Sequence, residues 1–272
     1  MIPRSGQDPI IRVDGLVKAF GEVRAVDGID FTVRRGECFG LVGPNGAGKT
    51  TTIKILITLL AADSGEAVVD GHSVRNEPRK VRRSIGYVPQ SVSVDGLLTG
   101  YENMSFHGRF QGMKRREIAR RIPRILALFD LEKAADRRVA TYSGGMIRRL
   151  EIGMSVLHRP RAIFLDEPTV GLDAVSRKAL WRHIKDLRKN EGVTVFMTTH
   201  YLEEAESLCT RIAIMNMGKI SAMGTMAGLR KQTAMPGASL EKMFIKLAGR
   251  IESDKGDLMA VKRSRRLAQR LG

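Results

Sequence analysis

The chain is poor in cysteine and aromatic residues, and it has no long apolar run. Its 272 residues include two cysteines and one tryptophan, and aromatic residues make up 5%. Two isolated cysteines argue against a disulfide-stapled scaffold or a thiolate metal site, and they are typical of a reducing compartment. No apolar stretch approaches the roughly 20 residues that a membrane-spanning helix needs. The first eight residues also lack the apolar segment of a secretory signal. We therefore expect a globular, soluble protein.

The charge balance is strongly basic. Lysine and arginine number 46 against 29 acidic residues, which gives a formal net charge of +17. Three explanations fit this excess: a nucleic-acid partner, an anionic membrane surface, or a generally basic proteome. The charge by itself does not choose between them.

The segment that organises the chain is rich in glycine and reads Gly43-Pro44-Asn45-Gly46-Ala47-Gly48-Lys49-Thr50. It fits the phosphate-loop pattern G-x-x-x-x-G-K-[ST], and it lies between an apolar run at 37–42 and a predicted helix at 51–60. Glycines let the backbone wrap around phosphate oxygens, while the helix N-terminus attracts an anion. Lys49 can bring a positive charge to the outer phosphates, and Thr50 can offer its hydroxyl to Mg²⁺.

Two adjacent acids, Asp166 and Glu167, follow a second apolar run at 162–165. That run predicts a strand buried on both faces, and acids at the carboxyl end of a parallel strand lie where α/β sheets bind ligands. Successive strand side chains point in opposite directions, so the two acids should have different tasks. We expect Asp166 to hold Mg²⁺ and Glu167 to orient or deprotonate a water molecule.

Three further positions are candidates for ligand contact. His200 ends a predicted strand, which favours a phosphate contact over a structural histidine. Ser143, with two glycines after it, precedes a helical run and predicts a second anion-binding helix N-terminus; however, Ser-Gly-Gly is also a common flexible turn. Phe20 can stack on a nucleobase, although its position alone favours an ordinary core phenylalanine.

With these pieces placed, residues 10–225 resemble the ATP-binding subunit of an ATP-binding-cassette (ABC) transporter. The resemblance is carried by residues 43–50 as the Walker A motif, Gln90 as the Q-loop glutamine, Ser143-Gly144-Gly145 as the signature, Asp166 as the Walker B acid, Glu167 as the catalytic glutamate, Gly171-Leu172-Asp173 as the D-loop, and His200 as the switch histidine. Phe20 stands where the family places an adenine-stacking aromatic residue, which reverses the core interpretation. Met146 departs from the commonest signature, which has glutamine there.

The resemblance implies an α/β P-loop ATPase with an antiparallel β subdomain and a helical insertion. It implies ATP and Mg²⁺ as cofactors, Glu167 and His200 as catalytic residues, and Thr50, Gln90 and Asp166 as metal ligands. ATP would contact Phe20, residues 43–50, Thr51 and Gln90 of one copy. Ser143, Gly144, Gly145 and Asp173 would contact it from the second copy of a nucleotide-driven, head-to-tail homodimer.

The resemblance also divides the chain. Residues 1–90 and 159–233 would form the ATPase core, and residues 91–158 a helical subdomain of three or four helices. Residues 234–272 would form a C-terminal extension with a basic tail. That tail is either a solvated chain end, which we favour, or a segment that strengthens attachment to a membrane or partner.

The signature Tyr142 to Met146 and the segment at 239–244 resemble the daunorubicin-resistance-like branch, in which the membrane protein is a separate ABC-2-type chain. This implies the ATPase subunit of a drug or antibiotic exporter, in peripheral contact with the cytoplasmic face of the cell membrane. An importer ATPase is the first alternative. A soluble cassette ATPase acting on nucleic acid or ribosomes is the second; such proteins usually carry two cassettes or a long coiled coil, so we expect no nucleic-acid partner.

Overall fold

The computed structural model describes residues 9–254, with side chains through residue 247. In this part the strands are β1 (Ile11–Phe20), β2 (Val23–Val33), β3 (Cys38–Val42), β4 (Ser64–Val69), β5 (His72–Ser73), β6 (Ile85–Val88), β7 (Ala162–Asp166), β8 (Thr194–Thr199), β9 (Arg211–Asn216) and β10 (Lys219–Gly224). They form a four-stranded antiparallel sheet, β2-β1-β4-β5, and a six-stranded sheet, β10-β9-β3-β8-β7-β6. In the larger sheet β10 is antiparallel to β9, and the other neighbours are parallel.

The central strands of the larger sheet are buried on both faces. Every residue of β3, β7 and β8 is buried, which explains why β3 and the first four residues of β7 are continuously apolar and why β8 combines apolar residues with threonines. The carboxyl ends of these three strands carry the glycine-rich loop, Asp166 and the residue before His200. Parallel register therefore brings all three predicted segments to one edge of the sheet.

Four phenylalanines join the two sheets. Phe31 of β2 stacks on Phe39 of β3 with ring centroids 5.4 Å apart, and Phe196 of β8 lies 5.6 Å from Phe39 and 5.4 Å from Phe164 of β7. Aromatic pairs at this spacing contribute about 0.5–1.5 kcal/mol each beyond the area that they bury. The cluster fixes the antiparallel sheet, which ends in Phe20, against the strand that leads into the glycine-rich loop.

The helices are α1 (Lys49–Leu56), α2 (Pro78–Ser84), α3 (Gly100–Phe110), α4 (Arg115–Leu128), α5 (Gly144–Ser155), α6 (Ala174–Glu191), α7 (Leu202–Leu208), α8 (Met226–Gln232) and α9 (Leu240–Asp254). Helices α3 to α5 make up the predicted helical insertion, and a capping box between Thr99 and Glu102 fixes the start of α3. Among the helices of residues 9–254, none combines the length and apolarity needed to cross a membrane.

Several predicted boundaries were wrong. Helix α1 begins at Lys49 and ends at Leu56, earlier than the predicted span of 51–60. Helix α2 was not predicted, because Val81 is its only buried residue and it presents no apolar stripe. Helix α9 lies within the predicted extension 234–272, and its Leu240 is buried in a cluster with residues of α7 and β9. The predicted basic tail lies, from residue 255 onward, outside the described residues.

Candidate active site

The glycine-rich loop is packed too tightly for side chains at two of its positions. A Cβ on Gly43 would lie 2.1 Å from the carbonyl oxygen of Met215, and a Cβ on Gly48 would lie 2.1 Å from that of Ala25. Gly48 also has φ +105°, which L residues rarely adopt. The loop is therefore held between β9 and β2, and α1 begins within the glycine-rich segment, at Lys49, with its first N–H groups at the loop.

Lys49 is buried inside this loop. Its side chain is 4% exposed, and its Nζ donates to the carbonyls of Gly43 at 2.9 Å and Pro44 at 3.0 Å. The same Nζ lies 3.3 Å from Oε1 of Glu167. The lysine is thus fixed by three oxygen atoms: two carbonyls of the loop that follows β3 and one carboxylate oxygen of the residue that follows β7.

Asp166 lies beside the start of α1. The Thr50 hydroxyl donates to its Oδ1 at 3.1 Å, and the Thr198 hydroxyl donates to the same oxygen. Desolvation and then the charge of Asp166 raise the pKa of Tyr87 to about 12. Sequence reasoning missed Thr198; the pairing of Asp166 with Thr198 in the parallel ladder of β7 and β8 is what brings them together.

Glu167 contacts three of the predicted site side chains. Its Oε2 accepts from Gln90 Nε2 at 3.4 Å and lies 3.1 Å from His200 Nδ1, while its Oε1 contacts Lys49. The residue has φ +48°, and its N–H donates to the Thr198 carbonyl at 3.1 Å. A non-glycine residue held in this region costs about 1–3 kcal/mol, and such residues cluster at functional sites.

One cavity of about 470 Å³ lies here, lined by Phe20, Ala25, Asn45, Gly46, Gly48, Lys49, Thr50, Thr51, Gln90 and Glu167. Asp166 and His200 do not line it themselves; they contact the lining residues Thr50 and Glu167. Phe20 is 52% exposed at the cavity rim, which excludes the core interpretation that the resemblance had already reversed. Gly43, Pro44 and Ala47 belong to the loop but do not line the cavity. The arrangement of loop amides, a lysine, two carboxylates and hydroxyls suits a phosphate ester with a divalent cation.

The predicted second anion site lies apart from this cavity. The hydroxyl of Ser143 caps α5 by accepting from the N–H of Met146 at 3.3 Å. Gly145 packs against α6, since a Cβ there would lie 2.8 Å from Ser176 Oγ. Asp173 caps α6, because its Oδ1 accepts from the backbone N–H groups of Val175 and Ser176, both at 2.9 Å. None of Ser143, Gly144, Gly145 and Asp173 lines the cavity, and all except Gly145 are exposed.

A buried acid behind the site was also missed. Glu204 of α7 is fully buried, and its Oε1 accepts from the indole N–H of Trp181 at 3.3 Å. Desolvation raises the pKa of its carboxyl group. Its position four residues after His200 gave no signal, because a glutamate on a short acidic helix is typical of an exposed face.

Comparison with known proteins gives a consistent result. Residues 26–170 match the family described as ABC transporter. The chain is 47% identical over 220 residues to the daunorubicin/doxorubicin resistance ATP-binding protein of Streptomyces peucetius, covering 81% of this chain and 66% of that protein. It is 40% identical to the Nod factor export ATP-binding protein I of Ralstonia nicotianae, covering 82% and 69%. It is also 40% identical to the linearmycin resistance ATP-binding protein of Bacillus subtilis, covering 81% and 70%. The matched region thus spans about two thirds of the length of these relatives.

Solved structures agree with the fold. One described as the ATP-binding subunit of an ABC transporter has a TM-score of 0.79 and 31% identity, covering 88% of this chain and 99% of that chain. A dimeric ATP-binding cassette in a post-hydrolysis state, bound to ADP and phosphate, has a TM-score of 0.70 and 27% identity, covering 79% and 98%. The predicted family and fold class are therefore confirmed, and this chain belongs to the ABC transporter family as an ATP-binding subunit with the ABC ATPase fold.

Proposed function

We propose that this chain binds and hydrolyses ATP in order to energise export by a separate transmembrane permease. ATP binding and hydrolysis are supported above all by one observation: Lys49, Gln90 and His200 all contact Glu167, next to the hydrogen-bonded pair of Thr50 and Asp166. The export half is supported by the relatives, whose names describe drug resistance and Nod factor export.

Mg²⁺ fits the residues at the start of α1. The Thr50 hydroxyl and an Asp166 carboxylate oxygen lie 3.1 Å apart, and the Gln90 side chain reaches the same region. These are the hard oxygen ligands that Mg²⁺ accepts together with phosphate oxygens. When bound, the ion offsets phosphate charge. Thr50 and Asp166 would hold it, with the Gln90 amide oxygen as a further ligand.

The remaining residues divide the work between binding and proton chemistry. The loop amides and Lys49 would bind the outer phosphates, and Phe20 at the rim would stack on adenine. Glu167 would orient a water molecule toward the γ-phosphate and accept its proton. His200, which already contacts Glu167, would contact the γ-phosphate. Catalysis would then consist mainly of positioning and charge stabilisation.

Each ATP would be shared between two copies. Ser143, Gly144 and Asp173 are exposed and lie outside the cavity of their own chain, so they are free to contact a nucleotide held by a second copy. The N-terminus of α5 would then face the γ-phosphate of the partner's ATP. This supports a nucleotide-driven homodimer in which binding closes the two copies together and hydrolysis releases them.

The proposed partner is an ABC-2-type permease at the cytoplasmic face of the membrane, with this chain attached peripherally. Residues 1–90 and 159–233 would act as the ATPase core, residues 91–158 as the helical signature subdomain, and residues 234–272 as an extension. The cargo would be of the drug or antibiotic class, by analogy with the named relatives.

Two measurements test this proposal. Purified full-length chain should hydrolyse ATP when Mg²⁺ is present, and the activity should disappear on chelation and in the Glu167→Gln variant. Co-expression with the proposed ABC-2-type permease should place both proteins in the membrane fraction and lower drug accumulation in cells. No hydrolysis by the wild-type chain would contradict the ATPase half. Drug accumulation that rises with ATPase activity would indicate an importer.

A further inference from the structure

A buried ion pair on α5 belongs to none of the motifs that define the site. Arg148 Nη1 lies 2.9 Å from Glu151 Oε2, and the two side chains are 7% and 2% exposed. The pair is one turn apart on the helix that begins after Ser143. A buried ion pair is retained at low cost only when further hydrogen bonds satisfy both partners.

The further bonds all reach one segment, residues 89–93, which we call the glutamine loop. Arg148 donates from Nη1 to the Pro89 carbonyl at 2.7 Å and from Nη2 to the Gln90 carbonyl at 2.8 Å. Glu151 Oε1 accepts from the backbone N–H of Ser93 at 2.6 Å and from its hydroxyl at 2.9 Å. Two neighbouring side chains on one face of α5 thus hydrogen-bond to the backbone at both ends of this loop.

The glutamine loop also carries an active-site side chain, that of Gln90. The Gln90 carbonyl is held by Arg148, while the Gln90 side chain donates to Glu167 at 3.4 Å. Helix α5 begins directly after its cap, Ser143, so a short series of direct contacts joins this helix to the carboxylate that follows β7. A tilt of α5 of a few degrees would move Gln90 because the arginine fork fixes the loop at two carbonyls.

We propose that Arg148 and Glu151 are positioning residues, which lock the glutamine loop to α5 so that Gln90 is placed against Glu167 and the metal. The inference rests on the proposed ATPase function. It also assigns a route between the two sites of the homodimer. ATP bound in the cavity of one copy would meet the N-terminus of α5 of the second copy, and α5 would then alter the second copy's own site through the glutamine loop. The competing explanation is that the pair only stabilises the fold of the helical insertion.

A paired apolar replacement separates these explanations. Arg148→Met alone would leave Glu151 buried without a partner, and the protein could fail to fold. Combining Arg148→Met with Glu151→Leu removes both charges and keeps similar volume, a change that is often neutral for stability. If the pair only stabilises the fold, this double variant should keep its ATPase activity. If the pair positions Gln90, the variant should lose activity, because the apolar side chains cannot make the contacts to the glutamine loop.

The chain offers a matched control in Arg121 of α4. This arginine is also buried, donates to the carbonyls of Leu157 at 2.7 Å and Val156 at 3.2 Å, and lies 3.5 Å from Glu191. Combining Arg121→Met with Glu191→Leu therefore removes an arginine with two carbonyl contacts and its acid, without touching the glutamine loop.

The experiment measures kcat, KM, the ATP-dependence of turnover, the affinity for ATP and hydrogen exchange at residues 89–93 in the full-length chain. For the Arg148/Glu151 pair we expect ATP affinity within about twofold of wild type, faster exchange at Ser93, and kcat lower by about ten- to a hundredfold. For the Arg121/Glu191 pair we expect kcat within about twofold.

A kcat near wild type for the Arg148/Glu151 pair, or an equal loss in both pairs, would overturn the inference. If the pair does not fold, Glu151→Gln tests the same point, because it removes one charge and keeps the shape; we expect about a threefold lower kcat and faster exchange at Ser93. A folded Glu151→Gln protein with unchanged kcat and exchange would also overturn it. Failure of the proposed function would be distinguishable, because the wild-type chain itself would then lack Mg²⁺-dependent ATPase activity.

Discussion

The replacement Glu167→Gln should affect turnover and nucleotide affinity in opposite directions. Lys49 lies 3.3 Å from this carboxylate and is almost fully buried. At an effective dielectric constant of about 20, two unit charges 3.3 Å apart attract by about 5 kcal/mol before the loss of hydration is subtracted. ATP must compete with this attraction to bring its phosphates to Lys49. Glutamine keeps the shape but removes the competing charge.

We therefore expect MgATP to bind about tenfold more tightly to Glu167→Gln, which corresponds to about 1.4 kcal/mol of the gross attraction. Turnover should fall by about 10²- to 10⁴-fold, since the group that accepts the proton of water is lost. Titration calorimetry gives the affinity, steady-state ATPase assays give the turnover, and light scattering shows whether ATP now traps a dimer.

The exposed Glu203 provides the control, because Glu203→Gln makes the same change in net charge away from the cavity. It should leave both affinity and turnover near wild type. Near-normal hydrolysis by Glu167→Gln would refute the role assigned to the carboxylate. Markedly weaker ATP binding would refute the competition with Lys49.

Three further outcomes follow from the contacts. Lys49→Ala should weaken MgATP binding itself, measured by calorimetry, because it deletes a phosphate-directed charge. Glu204→Gln should raise the thermal unfolding midpoint at neutral pH. Burial raises the pKa of Glu204, so the contribution of this group to folding stability is complete below its ordinary pKa of 4.5 and is lost as the pH rises through the folded-state pKa. A difference in unfolding midpoint between the variant and wild type that did not grow with pH would contradict this. Gly86→Ala should destabilise by about 1–3 kcal/mol in urea, since its Cβ would lie 2.2 Å from the Ser155 carbonyl, whereas Gly96→Ala, which meets nothing closer than 3.7 Å, should change little.

The chemistry of the site was largely predictable because its residues follow buried strands. The ends of parallel strands meet at one edge, so the glycine-rich loop, Asp166 and His200 could be placed together without knowing the strand order. The contacts of Glu167 with Lys49, Gln90 and His200 follow from that edge.

The remaining contacts depend on strand order and on long-range packing, which the sequence does not encode locally. Thr198 meets Asp166 because β8 lies between β3 and β7, an order that differs from the order along the chain. Arg148 reaches carbonyls 58 and 59 positions away, and no local pattern marks them. Phe20 could not be assigned from its position alone, because buried and exposed residues do not alternate regularly along its strand. The resemblance to the family indicated a ligand contact, and the fold shows that the strand ends at the cavity rim.

The central claim is that two copies share each ATP, and mixing two inactive variants tests it most directly. Ser143→Arg and Lys49→Ala should each abolish ATPase activity alone. In a mixed dimer, one site carries both defects and the other carries neither. Random association of equal amounts should therefore restore about a quarter of the wild-type activity if an intact site turns over independently. Mixed dimers that form, as shown by differently tagged copies, yet remain inactive at every ratio would contradict the account.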